Sequence, residues 1–136
     1  MLYEICINTM GKIYYKDITG NVESIVYNSN ISDGICLVFV PHTSAAVTIN
    51  EGHDERVMED LLNYLSILIP KNPKNLTFKH IEGNSDAHIR ASLIGNSVCV
   101  PIENGKLILG KWQRIILLEF DGPRTRKIIV KILGNN

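Results

Sequence analysis

RIILLEFDGPRTRKIIVKIL, residues 114–133, holds two apolar runs separated by a polar turn. The first run, ending in Leu-Leu-Glu-Phe, has the length and composition of a strand. In the second, Lys127, Ile128, Ile129, Val130, Lys131 and Ile132 follow the pattern of a strand with a partly exposed face. Asp121-Gly122-Pro123 between them is turn chemistry, so the stretch is expected to form a strand pair. One residue interrupts the first run. Glu119 is a carboxylate inside an apolar strand, and it either faces water or is buried with a raised pKa.

Outward from this stretch the same reading continues. SVCVPI (97–102), Glu103-Asn104-Gly105 and KLILG (106–110) signal a hairpin, because Asn-Gly supplies the positive φ angles of a tight turn. ICLVFV (35–40) is an unbroken apolar run, expected to be a strand covered on both faces. Pro41 ends it, and AVTIN (46–50) resumes a strand after the polar step His42-Thr43-Ser44. LYEICINT (2–9) opens the chain as a strand. Helical spacing appears three times. Val22, Ile25 and Val26 share one face, with Thr19 as a cap. Val57, Met58, Leu61, Leu62, Leu65 and Leu68 follow a capping Asp54 and stop at Pro70. Residues 85–94 form a short helix capped by Asn84 or Ser85, with Asp86 near its positive end and Gly95 after its last turn. The expectation is one compact α+β domain over residues 1–136, with about seven mostly antiparallel strands in a sandwich-like arrangement and about three helices.

Composition narrows the function classes. The 136 residues are 45% hydrophobic and 21% charged, with 14 basic and 14 acidic side chains. Such a chain has no overall cationic excess for non-specific nucleic-acid binding. No apolar run approaches membrane-spanning length, and the start, MLYEICINTM, lacks the basic region of a signal peptide. Cys6, Cys36 and Cys99 sit in apolar runs without any C-x-x-C pair, so they are expected to be reduced, buried and in a cytoplasmic compartment.

Four polar clusters interrupt the apolar pattern: His42-Thr43-Ser44, Asn50-Glu51 with Asp54, His80 through His88, and Glu119 through Arg124. His80 and His88 are too far apart for one helical face, but converge if His80 ends a strand and His88 lies in the first turn of the helix, with the loop folding between them. With His42 as a third imidazole they would match a three-histidine divalent metal site; capping and surface hydrogen bonding is the competing reading of the same residues. Histidine-rich ligation suits Zn, Fe, Ni or Mn. Thr43, Ser44, Arg90 and Arg124 are donors for an anion, and the start of the 85–94 helix adds free N–H groups. There is no P-loop, no dinucleotide-binding glycine pattern and no nucleophile elbow. His53 reads as a surface histidine and Asp60 as part of a solvated helix face. Trp112 either closes a pocket or plugs a sheet end.

VFVPHTSAAVTINEG, Asp54, Asp60, H…EGNSDAHIRASLIG and VPIENGKLILGKWQRIILLEFDGPR, in that order, resemble the secondary thiamine-phosphate synthase family, also called YjbQ-like, over nearly the whole chain. The resemblance implies a compact α+β domain, a homotrimer with sites near the subunit contacts, and a metal near His42, His80 and His88. Asn84, Asp86, Gln113, Glu119 and Arg124 match family motif positions, and the basic position of the helix is kept as Arg90. The implied reaction is a weak side activity: coupling of a hydroxymethylpyrimidine pyrophosphate to a thiazole phosphate with release of pyrophosphate. In that reading His42, His80 and His88 hold a divalent transition metal, or Mg with a pyrophosphate substrate. Glu119, Asn84, Asp86 and Gln113 do the chemistry, and Thr43, Ser44, Arg90 and Arg124 bind phosphate. The alternative is a non-catalytic trimeric protein that binds a phosphorylated small molecule.

Overall fold

In the computed structural model, which describes residues 1–136, the strands form two antiparallel sheets. Burial alternates with period two along the long strands of the first and is continuous along the middle strand of the second, which is covered on both faces. The first sheet has the order β1-β8-β3-β5-β6, with β1 Leu2–Asn8, β3 Asp33–Phe39, β5 Ser97–Glu103, β6 Lys106–Leu107 and β8 Thr125–Asn135. The second has the order β2-β7-β4, with β2 Tyr14–Asp17, β4 Ala45–Glu51 and β7 Gln113–Glu119. Between them lies the larger core, built from residues such as Ile5, Val38, Val47, Leu117 and Ile128, and helix α1 (Thr19–Ser29) packs into it through Val22 and Val26. Helices α2 (Glu55–Leu68) and α3 (Ser85–Ile94) cover the other face of the second sheet, where Met58, Leu62, Leu65, Ala87 and Ala91 meet Ile116, Leu118 and Phe120.

Most expected elements are present at their expected places, including the hairpin whose Asn104 and Gly105 both have positive φ, 53° and 76°. Asp54 caps α2 by accepting from Arg56 N–H. Four expectations are corrected, those for the 114–133 pair, strand β3, the α1 cap and the cysteines, and one strand is added. Residues 114–133 are two strands but not a pair, since β7 pairs with β2 and β4 while β8 pairs with β1 and β3. The polar turn therefore crosses from one sheet to the other. Strand β2, from Tyr-Tyr-Lys-Asp, has no apolar period to announce it and makes the strand number eight. Strand β3 is covered on one face only, with Ile35 and Leu37 exposed. Helix α1 is approached through Asp17, whose carboxylate accepts from Thr19 N–H, while the Thr19 hydroxyl accepts from Ile115 N–H. Of the cysteines, Cys36 alone is buried, and its thiol is pushed up to about 11 by burial and by Cys99; Cys6 and Cys99 are free and exposed.

Candidate functional site at the sheet crossovers

Three of the six connections that carry the chain between the sheets are residues 9–13 from β1 to β2, residues 40–44 from β3 to β4, and residues 120–124 from β7 to β8. All three lie at the same end of the sheets. Backbone bonds tie them together, from Phe120 N–H to Ser44 O at 3.1 Å, Thr9 N–H to Arg124 O at 2.8 Å and Gly122 N–H to Lys12 O at 3.1 Å. The start of α3 joins them, where the Asn84 amide donates to an Asp121 carboxylate oxygen at 2.9 Å. A crossover cannot continue a strand ladder, so its polar groups need other partners. This is why three of the four polar clusters in the sequence gather here.

Glu119 and Arg126 anchor the centre. Glu119 follows Ile115 and Leu117 on the inward face of β7, and Arg126 precedes Ile128, Val130 and Ile132 on the inward face of β8. Their side chains meet between the sheets in a bidentate ion pair. Thr9 donates to Glu119 at 2.8 Å, Asp121 N–H donates at 3.1 Å, and Arg126 donates to the Ser44 hydroxyl at 2.9 Å. Burial would push the Glu119 carboxyl up, but Arg126, Asp121 N–H and the Thr9 hydroxyl hold it below the ordinary range. The expectation of a raised pKa is thus reversed. Glu119 is an ionised, fully enclosed group and presents no free lone pair to a substrate. Ser44 is likewise buried and engaged by Arg126.

The histidines lie outside this pair. His88 Nδ1 is 2.9 Å from Thr43 O, and because a carbonyl only accepts, Nδ1 carries the proton and Nε2 has a free lone pair. The His80 and His88 rings stand edge to face with centroids 5.4 Å apart. His42 behaves differently. Its Nε2 accepts from Lys127 N–H at 3.0 Å, which leaves the proton on Nδ1. Burial and the nearby Arg126 charge hold the His42 pKa below its usual value, so the ring is neutral near pH 7. His42, Thr43, His88, Ser92 and Asn96 line a cavity of about 230 Å³. No three His, Cys, Asp or Glu side chains converge as a metal cage. In this arrangement His88 offers a lone pair, whereas His42 offers an N–H.

The remaining expected residues are distributed by strand direction and helix face. Arg124 is half-exposed and bonded to Asp121, through both the carbonyl and the carboxylate. The Asp121 carboxyl would be raised by burial, but Asn84, Arg124 and Lys12 hold it low. Arg90, expected to meet phosphate, is instead turned inward to Asp86 at 3.3 Å and to Ile69 O at 2.8 Å. It pins the C-terminal end of α2, where a cation is favoured, and Asp86 is its buried counter-ion. Gln113 sits at the opposite end of β7 from Glu119, about 20 Å away at the strand rise, and accepts from Gly110 N–H. Beside it Trp112 is exposed, with His53 edge to face at 5.4 Å and Lys111 over its ring.

Residues that the sequence reading passed over are Arg126, Thr9, Ser92 and Asn96. The signal for Arg126 was present: it holds the inward position of the β8 alternation, one step before Ile128. It could be paired with Glu119 only once the two strands were known to face each other across the core.

A family model described as UPF0047 protein YjbQ-like matches residues 3–135. A UPF0047 protein of Methanocaldococcus jannaschii is 48% identical over 99% of this chain and 96% of its own length. YugU of Bacillus subtilis is 41% identical over 98% and 100% of the two chains. Among solved structures, a YjbQ/UPF0047 family protein of Clostridium acetobutylicum superposes with a TM-score of 0.91 at 49% identity, over 96% of this chain and 99% of that one. A YbjQ-like protein of Sulfolobus solfataricus gives 0.92 at 40% identity, over 99% and 97%. With the family model matched over residues 3–135 and these relatives alike over nearly their whole length, the chain belongs to the YjbQ-like UPF0047 family.

Proposed function

We propose that the crossover end is the working site of a metal-dependent enzyme that acts on a phosphorylated small molecule. The observation that carries this reading is the hydrogen bond from His88 Nδ1–H to Thr43 O, which fixes the tautomer and leaves Nε2 available. Metal-bound histidines are commonly oriented in this way by a backbone carbonyl. His80, beside His88, would supply a second imidazole, and imidazole ligands favour a transition metal over Mg. His42 would then donate its Nδ1–H to a bound anion, together with the Thr43 hydroxyl. Neutral N–H and O–H donors around a cavity of about 230 Å³ suit one phosphoryl group. Bound there, a divalent metal would stabilise negative charge on a phosphate leaving group.

The reaction we favour is the one the family resemblance suggests, displacement of pyrophosphate from a pyrimidine methyl pyrophosphate by a thiazole phosphate, as a side activity. Its barrier lies in separating charge at the departing pyrophosphate, so donors and a cation suffice without a general base. That agrees with Glu119 being sealed in an ion pair. The test has two arms. Elemental analysis of the purified protein should show stoichiometric transition metal, lost in a His80→Ala/His88→Ala double variant; retained metal removes both ligand assignments. Calorimetry with inorganic pyrophosphate should show binding to the metal-loaded protein, and absence of binding removes the phosphorylated substrate.

A second reading, a non-catalytic trimeric binding protein, is favoured by one observation. The outer face of the β1-β8-β3-β5 sheet exposes Leu2, Ile35, Leu37 and Leu133 together, an apolar surface of the kind that subunits cover. Sedimentation of the wild type and of His88→Ala separates the readings. The enzyme reading expects the variant to remain a trimer and lose pyrophosphate binding, and the binding-protein reading expects a weaker trimer with ligand binding kept.

A further inference from the structure

The largest cavity in the molecule is not at the histidines. It is a cleft of about 680 Å³ between strand β2 and helix α2. It lies on the helix-covered face of the second sheet, whereas Glu119 points to the opposite face of that sheet, into the core between the sheets. None of the residues assigned above to metal or anion lines it. Its size is within the usual range for a small-molecule site, about 300–1,000 Å³.

The two walls differ in chemistry. One is the edge strand, which contributes Ile13 and Tyr15, whose register partner Leu118 lies on the same helix-covered face. The other is one face of α2, where Glu55, Glu59 and Leu62 follow at helical spacing. The charged lining consists of three carboxylates and one lysine: Asp17, Glu55, Glu59 and Lys16. The two arginines within reach are already committed, Arg114 to Asp17 at 2.7 Å and Arg56 to Asp54 at 2.8 Å. Glu55 and Glu59 form no ion pair, and Lys16 extends from the opposite face of β2, beside Leu117, so two like charges four residues apart on a helix face the Tyr15 ring unpaired. That spacing is repulsive on its own. A cation lying between the carboxylates and the Tyr15 ring would relieve the repulsion and meet an aromatic face, which attracts positive charge. Burial first, and then the charges of Glu55 and Glu59, push the Tyr15 phenol pKa upward, which places its hydroxyl within reach of both carboxylates' field.

We propose that the cleft between β2 and α2 is a second ligand site, separate from the histidine end, that takes a small amphipathic organic cation: an apolar or aromatic body against Ile13, Leu62 and Tyr15, and an ammonium between Glu55 and Glu59. An anionic or phosphorylated ligand is excluded from it by the same carboxylates. The proposal does not depend on metal or phosphate binding at the crossovers.

The experiment uses the full chain and two probes of equal shape, 2-phenylethylammonium and uncharged 2-phenylethanol, followed by NMR shift titration. The expected result is saturable binding of the cation with shifts centred on Tyr14–Asp17 and Glu55–Asn63, at least about tenfold tighter than the alcohol because charge is recognised. It should weaken with added salt, fall about tenfold or more in Glu55→Gln/Glu59→Gln and persist in His88→Ala. Both glutamates are exposed, so the variant is expected to fold, and Tyr15→Phe provides an independent second variant that keeps the ring. Equal affinity for cation and alcohol, unchanged binding in the glutamine variant, or no saturation up to about 10 mM would overturn the proposal, since each removes the charge selection on which it stands.

Discussion

The two ends of the β4–β7 pair contrast sharply. At one end Ala45 lies opposite Glu119, and the polar groups are enclosed, bonded and shared among three crossovers and a helix start. At the other end Glu51 lies opposite Gln113, and Glu51, His53, Trp112 and Gln113 bond mostly to neighbouring loop residues at the surface. Both ends are read from sequence as polar clusters at element ends. The difference is connectivity. At the first end three crossovers between the sheets lie together and satisfy each other's backbone, while the second carries the approach to α2 and the crossover from β6 into β7. Polar residues that share a strand share a site only if they lie at the same end of it.

The largest effect should separate the ends directly. Arg126→Met removes the counter-ion of a fully buried carboxylate and should cost about 3–5 kcal/mol, read from urea midpoints. Gln113→Ala and Trp112→Ala should stay within about 0.5 kcal/mol. Comparable losses at both ends would erase the distinction. A smaller effect sharpens it. Ser44→Ala removes one hydrogen bond to Arg126 and should cost about 1.5–3 kcal/mol, the range for bonds to charged groups. A change near zero would mean that the crossover at 40–44 is held by its backbone alone.

Acid provides the mildest test. The carboxyls of Glu119 and Asp121 are held below their ordinary values. A group with a depressed folded pKa stabilises the fold above its unfolded value, about 4, and that contribution is lost as pH falls through the folded value. Stability measured from pH 7 downward should therefore hold until about pH 4 and then decline. In Arg126→Met the Glu119 share of the decline should be absent, and an unchanged acid slope would assign it elsewhere.

Much of this was legible in the residues. Asn104-Gly105 specified its turn because few residues adopt positive φ at low cost. Asp54, the apolar stripe behind it and Pro70 delimited α2, and Asn84 with Gly95 delimited α3, since capping and periodicity are local. Strand β2 was missed because Tyr14–Asp17 is half-buried on both sides, so neither face shows an apolar repeat. The 114–133 stretch was misjudged because turn chemistry between two strands is compatible with a hairpin and with a crossover alike. The histidine assignments were legible as residue types, but not as donors or acceptors.

What the sequence determined by itself is the set of elements, their order and the residue types available at their ends, because helix periodicity, strand alternation and turn conformations depend on neighbours a few positions away. The tertiary structure decided which sheet each strand enters, that Glu119 meets Arg126 and is kept ionised, that Arg90 turns inward to α2, and that His42 and His88 present opposite chemical faces to one cavity. These outcomes depend on groups brought together from up to about a hundred residues apart, as Thr9 and Glu119 are with a separation of 110. A side chain's protonation and its free lone pairs are set by such partners, which local sequence does not specify.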